Sequence, residues 1–206
     1  MGSRILKISE MSPADTFKLM LGFIGPRPIG WISTISASGV PNLAPFSFFN
    51  MLGNNPPVLG FSPALGRDGR KKDSLLNAQE TKCFVHNVVT RPLADVMNRS
   101  SEEFPHGVSE FEKVGLTAIP SSLVKAPRLK EAVISVECEL RDVISFGDKP
   151  GNGQLVLGNA VAIHINDDSV LDDKGLIDSA KLPLVSRLGK NEYLEFVRTF
   201  ELPHIR

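Results

Sequence analysis

A mainly β fold, a mostly antiparallel barrel with peripheral helices, is what these 206 residues predict, on three observations. Apolar Ile134, Val136, Cys138 and Leu140 alternate with Ser135, Glu137, Glu139 and Arg141, the period of a strand with one dry and one wet face. Bulky Leu155, Leu157, Val161, Ile163 and Ile165 alternate with Val156, Gly158, Ala160, Ala162 and His164, so a second strand has one narrow face. Such a face invites something to lie against it, and barrel interiors also mix small and large residues. Third, helices are interspersed without a βαβ rhythm, and no repeat of 20 to 50 residues is present.

The elements follow in order. Ser12-Pro13-Ala14-Asp15 reads as a helix start, with Ser12 as N-cap, Pro13 in the first turn and Asp15 reaching back; Phe17, Met20 and Leu21 share a face and Gly22 can end it. IGWISTIS is rich in β-branched residues, Ala37-Ser38-Gly39 is a turn, and VPNLAPFSFFN returns as a strand interrupted by proline. Asn54-Asn55-Pro56-Pro57 breaks the chain before the short strand VLGFS. After a charged loop from Gly66 to Lys72, Asp73 is placed to cap the helix DSLLNAQET, and KCFVHNVV is a strand. Short helices and loops are expected from Pro92 to Glu112, ahead of the two long strands.

Bulk properties narrow the function. Lys+Arg 23 against Asp+Glu 23 leaves no net charge, and so no electrostatic footprint for nucleic acid or an anionic membrane. No stretch approaches the roughly 20 apolar residues that span a bilayer, and the N-terminus lacks the pattern of a secretory signal, so a cytoplasmic protein is expected. Cys83 and Cys138 lie in separate strand-like runs, as reduced core thiols do. No linker divides the chain, and a single domain over 1–206 is expected.

Several chemistries lose their usual signatures. Gly151-Asn152-Gly153 lacks the third glycine of a dinucleotide fingerprint, and a Walker-type loop, G-x-S-x-G, H-E-x-x-H and C-x-x-C are absent. His86, His106, His164 and His204 are scattered, with no pair at helical metal-ligand spacing, so no metal site and no acid-base pair is expected.

Three positive signals remain. Arg70-Lys71-Lys72-Asp73-Ser74 sets cations and a hydroxyl before a helix start, which suits a phosphate and equally describes a solvated basic loop. In PNLAPFSFFN, prolines 41 and 45 remove ladder donors, while Asn42, Ser47 and Asn50 bring polar groups beside Phe46, Phe48 and Phe49; a flat heteroaromatic ring or an edge strand packing its aromatics would account for this. Trp31 and Thr34 precede that run, and Trp31 could lean on a ring or fill the core. His164, on the narrow face, could meet a second substrate or serve the structure. A phosphate site, a polar ring-binding strand and aromatic cover together are what a redox cofactor requires, and flavin mononucleotide (FMN) has the matching parts.

The blocks RPIGWISTISASGVPNLAPFSFFN, PPVLGFS, KKDSLLNAQET and FVHNVV resemble the flavin reductase-like family of FMN-binding split barrels, the group containing flavoredoxin. The resemblance runs from the N-terminal helix to VSRLGKNEY. It implies a six-stranded split barrel, a homodimer and FMN near the subunit interface. By motif match, Trp31, Ser33 and Thr34 flank the cofactor, and Asn42, Leu43, Ala44, Ser47, Phe48, Phe49 and Asn50 meet its ring and ribityl chain. Lys71, Lys72, Asp73 and Ser74 match the phosphate block, with Arg27, and Arg187 and Tyr193 from a partner subunit, as further cofactor contacts. One departure is Gly158-Asn159, where relatives carry an acidic or basic residue, a difference bearing on donor and acceptor preference.

The function so implied is an FMN-dependent reductase that takes electrons from NADH or NADPH and delivers them to a small-molecule or protein acceptor. No residue of the chain need act as catalytic acid or base; ring alignment and donors such as Ser47 and the amides from Asn42 to Ala44 would do the work. Two alternatives are an electron-transfer flavoprotein without nicotinamide activity and a non-catalytic ligand-binding barrel. The loop from Arg99 to His106 is expected to govern access.

Overall fold

The computed structural model describes residues 3–195 together with Phe200 and Leu202. The first helix, α1 (Pro13–Phe23), starts as its sequence dictates: Ser12 Oγ accepts from the Asp15 N–H at 3.1 Å and donates to the Asp15 carboxylate at 2.7 Å. It runs through Gly22 and stops one residue later, and none of its residues is buried. The strands then follow as β1 (Arg27–Pro28), β2 (Gly30–Ile35), β3 (Pro41–Phe46), β4 (Phe49–Asn54) and β5 (Pro57–Phe61). Next come α2 (Asp73–Thr81), β6 (Cys83–Asn87), α3 (Ala94–Arg99), α4 (Glu110–Val114), β7 (Ala118–Ile119) and β8 (Arg128–Leu129). Two long strands, β9 (Ile134–Ser145) and β10 (Gln154–Ile165), precede β11 (Val185–Arg187) and β12 (Tyr193–Glu195).

Seven strands form one sheet in the order β3-β2-β6-β9-β10-β5-β4, antiparallel throughout. Its two edges, β3 and β4, are consecutive in the chain, and only Ser47 and Phe48 separate them. Three Cα steps span at most roughly 11 Å, so the sheet has to curl until its edges nearly meet. The result is a split barrel whose seam is the Ser47-Phe48 link. A small sheet, β1-β11-β12, lies beside it.

The barrel is filled by Ile32, Phe61, Phe84, Cys138 and Val156, and α2 adds Leu75 and Ala78 to this interior cluster. A second cluster lies outside β2 and β3, where Trp31 and Leu43 pack with Met97, Phe111 and Leu129 beneath α3 and α4. The narrow face of β10 is explained from within: a Cβ at Gly158 would lie 2.4 Å from Phe84 Cε1, so glycine there admits the phenyl ring. Asn159 is bonded by Arg141 at 3.3 Å. The Gly158-Asn159 departure therefore belongs to barrel packing and an exposed strand pair, and lines neither of the clefts described below.

The expected wet face of β9 is dry at one end. Ser135 and Glu137 are fully buried. Glu137 accepts N–H bonds from Ser122 (2.6 Å), Leu123 (2.7 Å) and Val124 (3.1 Å), so the loop after β7 folds over the strand and gives its free amides to the carboxylate. Burial alone would push this carboxyl up; the N–H groups of Ser122 and Leu123, and then His164, hold it below the usual carboxylate range. Cys83 and Cys138 are free and buried, and burial pushes the Cys138 thiol up. No helix among the described residues is long and apolar enough to cross a membrane.

Candidate functional site

The β2–β3 ladder is unbroken from Gly30↔Phe46 to Ile35↔Pro41, so the prolines do not interrupt it. Leu43 turns its N–H away from β2, onto Glu110 Oε2 at 2.9 Å. By the two-residue period the nitrogens of Pro41 and Pro45 face the same outer edge. Two of its three outward positions thus carry no donor, and the third is satisfied by a carboxylate. This is edge protection. The edge therefore offers carbonyls, and of the amides expected as donors from Asn42 to Ala44, that of Leu43 is committed to Glu110.

On the cleft side of this wall the polar groups are side chains. Asn42 is assigned with its amide nitrogen toward Glu110 Oε1 (3.3 Å) and its oxygen toward Thr34 Oγ1 (3.3 Å). Thr34 accepts from Asn77 Nδ2 of α2 at 3.1 Å. A buried polar chain therefore runs from α2 through β2 and β3 to α4, and it fixes Asn42 in the wall of a cleft of about 950 Å³. Burial pushes the Glu110 carboxyl up, against the opposing bond from Leu43.

Across the cleft stands the start of α2. The structural N-cap is Lys72, which makes no side-chain cap bond, so Asp73 is the first helical residue rather than the cap. Its carboxylate turns to the next loop, pairing with His106 Nδ1 at 2.6 Å and accepting from the Gly107 N–H at 3.3 Å. Arg70 is paired with Asp68, and Lys71 donates to Gln79 at 2.9 Å. Lys72 makes no ion pair among the described residues. Of the first-turn N–H groups of α2, that of Leu75 bonds back to the Lys72 carbonyl at 3.0 Å, which leaves those of Asp73 and Ser74, beside Lys72 at the cleft, without a partner among the described residues. The third wall is the loop Ser100 to His106, within the segment expected to govern access.

A second cleft, about 770 Å³, adjoins the first and shares Pro45 and Ser101 with it. Arg27, Ser47, Phe48, Arg187 and Tyr193 meet here within one chain, because β1 pairs with β11 and β11 with β12. The Arg187 guanidinium lies 4.4 Å from the centre of the Tyr193 ring, and the Tyr193 hydroxyl donates to Asn98 at 3.1 Å.

The expected residues thus divide into three groups. Asn42, Ala44, Lys71, Lys72, Asp73 and Ser74 line the first cleft, and Arg27, Ser47, Phe48, Arg187 and Tyr193 the second. The rest line neither. Trp31 is fully buried with its indole N–H on Ser100 at 2.9 Å; Ser33 donates to the Pro127 carbonyl at 2.5 Å; Thr34 and Leu43 are buried. Phe49 packs on His86, and the exposed Asn50 accepts from the next residue's N–H. His164 also lies outside both clefts, its Nε2 on Glu137 at 2.5 Å, so its expected substrate contact is replaced by a structural pairing. Glu110 and Asn77 were not singled out from the sequence: each is one polar residue on an otherwise ordinary helix, and only the fold brings it to Asn42. Among the described residues no group of three or more His, Cys, Asp and Glu could hold a metal ion.

Comparison with known proteins places this geometry in context. Residues 24–182 match the model of the flavin reductase like domain. An uncharacterized protein of Aquifex aeolicus is 41% identical over 188 residues, covering 91% of this chain and 93% of that protein. The crystal structure of nitrilotriacetate monooxygenase component B from Bacillus cereus superposes with a TM-score of 0.91 at 32% identity, over 98% of this chain and 100% of that one. For the 2-nitrobenzoate 2-nitroreductase of Pseudomonas fluorescens the TM-score is 0.87 at 28% identity, over 98% and 96% of the two chains.

Proposed function

The chain belongs to the flavin reductase-like family, and from that premise we propose that it is an FMN-binding oxidoreductase using NADH or NADPH to reduce a small-molecule or protein acceptor. The observation that carries this reading is one cleft walled by Asn42 and Ala44 on one side and by the uncapped start of α2 on the other. Blocks some 30 residues apart in sequence meet there with complementary chemistry, a flat polar wall and a cationic end.

The residues present fit FMN on three counts. A volume of about 950 Å³ lies at the upper end of ligand pockets, roughly 300–1,000 Å³. Lys72, the Ser74 hydroxyl and the free N–H groups of Asp73 and Ser74 supply an anion site for the phosphate, and Lys71 stands beside them. Asn42, with Ala44 leaving room beside it, addresses the polar edge of the ring, held in place by Glu110 and Thr34. When bound, FMN supplies the redox chemistry, taking electrons from a reduced nicotinamide and passing them to an acceptor. The chain binds, orients and shields: the carboxylate of Asp73 holds the Ser100–His106 wall through His106, and Pro45 and Phe46 cover the cleft's apolar side.

A homodimer is part of the proposal. Phe17, Leu19, Met20 and Phe23 of α1 are exposed, as are Met51 and Leu52 on the edge strand β4, apolar side chains that a second copy would cover. Sedimentation at low concentration should give a species twice the 22.4 kDa chain mass. The decisive experiment loads dialysed protein with FMN, then adds reduced nicotinamide without oxygen. Saturable FMN uptake followed by bleaching supports the reductase. Uptake with bleaching only by a partner protein would make it an electron carrier, and no uptake of FMN would leave a barrel for some other ligand.

A further inference from the structure

Resting on the flavin reading of the first cleft, we propose that the second cleft is an anion-binding subsite for the second substrate, taking a flat organic carboxylate. Its charge balance is the first reason. Arg27, Arg187 and Lys190 line it, and no Asp or Glu does, whereas the first cleft mixes its cations with Asp68, Asp73, Glu102, Glu103 and Glu110.

Arg27 is the second reason. It is only 5% exposed, yet its guanidinium meets no carboxylate among the described residues. Its N–H groups donate to the carbonyls of Leu21 (3.4 Å), Ile24 (2.5 Å) and Leu188 (2.7 Å) and, through Nε, to Ser47 Oγ (3.5 Å), which satisfy hydrogen bonds without supplying a counter-charge. Burial, and then the charge of Arg187, disfavour its cationic form. A buried guanidinium beside a second one is costly unless an anion joins them.

Arg187 is pre-set for that role. Stacking on Tyr193 and donation to the Lys190 carbonyl at 2.5 Å fix its plane, which suits two parallel bonds to a carboxylate. Beside the cations lies an apolar shelf: Phe17 and Phe48 meet edge to face at 6.2 Å, and Ile29 and Met97 continue it. A cation cluster against an aromatic shelf selects an acid with a flat apolar body over inorganic phosphate. Continuity through Pro45 and Ser101 sets such a molecule next to the ring wall of the first cleft.

Calorimetry with benzoate, benzamide and inorganic phosphate as probes tests this, on the full chain with and without FMN, after FMN uptake has been measured on its own. Benzoate should bind saturably, at least about ten-fold more tightly than either other probe. The double variant R187Q/K190Q should weaken benzoate about ten-fold or more, and R187K/K190Q should recover part of the loss; both altered side chains reach solvent, and circular dichroism checks the fold. Equal binding of benzamide and benzoate, tighter binding of phosphate, or benzoate binding indifferent to R187Q/K190Q would overturn the proposal. So would a loss of FMN retention in R187Q/K190Q with benzoate unchanged, since the cleft would then serve the flavin. Failure of the wild type to take up FMN counts against the reading of the first cleft and is seen in the separate measurement.

Discussion

Asn87 and Asn42 are both buried strand asparagines, but their surroundings use them differently. Asn87 is surrounded: its Nδ2 donates to the Trp31 carbonyl (3.2 Å) and Ser33 Oγ (3.0 Å), and its Oδ1 accepts from the Leu129 N–H and Ser135 Oγ, each at 2.9 Å. Nothing of it is left for a ligand, and it ties β2, β6, β8 and β9 into one knot. Asn42 has protein on one side and the cleft on the other, with Glu110 and Thr34 steering its amide. The same side chain is a fastener where the chain encloses it and borders open space where the chain stops short.

Three measurements would break or sharpen that contrast. The largest effect belongs to Asn87→Ala, which strands four buried partners at once; a loss of about 3–5 kcal/mol in urea unfolding is expected, with FMN affinity per folded molecule unchanged. His86 is the case between the two, a buried ring packed 4.4 Å from Phe49 whose Nδ1 has no partner in the chain. Burial drives its pKa from 6.5 down to about 4. The folded state therefore resists protonation: the stability tied to neutral His86 is complete above pH 6.5 and drains as pH falls toward about 4, about 3 kcal/mol in all. His86→Leu should remove that dependence, seen as the difference between variant and wild-type unfolding midpoints from pH 7 to 4. If both decline in parallel, burial is not what governs the ring. The smallest structural effect is expected at the cleft: Asn42→Ala should cost about 1 kcal/mol of stability and weaken FMN about ten-fold by fluorescence titration, roughly 1.4 kcal/mol. A larger stability loss than Asn87→Ala would make Asn42 a fastener after all.

How much of this was legible in the sequence depended on how far apart the partners lie. Ser12 and Asp15 announce their cap because they are three residues apart. The β2–β3 hairpin and the two long strands declare themselves through short-range periodicity. The buried role of Glu137 does not, for an acid in an alternating run looks solvated until the loop at residues 122–124 folds over it, and His164 takes its meaning from that same acid 27 residues away. In the cleft, the Asn42 amide and the cations from Arg70 to Lys72 are readable as residue types, and the structure brings them to one cleft. That Trp31 and Leu43 would face the α3–α4 side while Asn42 and Ala44 face the cleft is not readable, because both sides of the β2–β3 sheet are covered and neither presents a polar pattern to water. That the two prolines sit on the outer edge of β3 is not legible in the sequence; it follows from the direction of the Leu43 N–H.

The two-residue link between β3 and β4 has an implication for how this architecture can diversify. No ladder hydrogen bond crosses from β3 to β4, so one or two residues inserted between Phe46 and Phe49 would lengthen a tether without unzipping a strand pair. Because Pro45, Ser47 and Phe48 border the second cleft, with Pro45 shared by the first, such an insertion would change the girth of both chambers together. The slit in the barrel is thus an adjustable hinge-pin for evolution, a place where pocket dimensions can drift while the hydrogen-bonded staves keep their register.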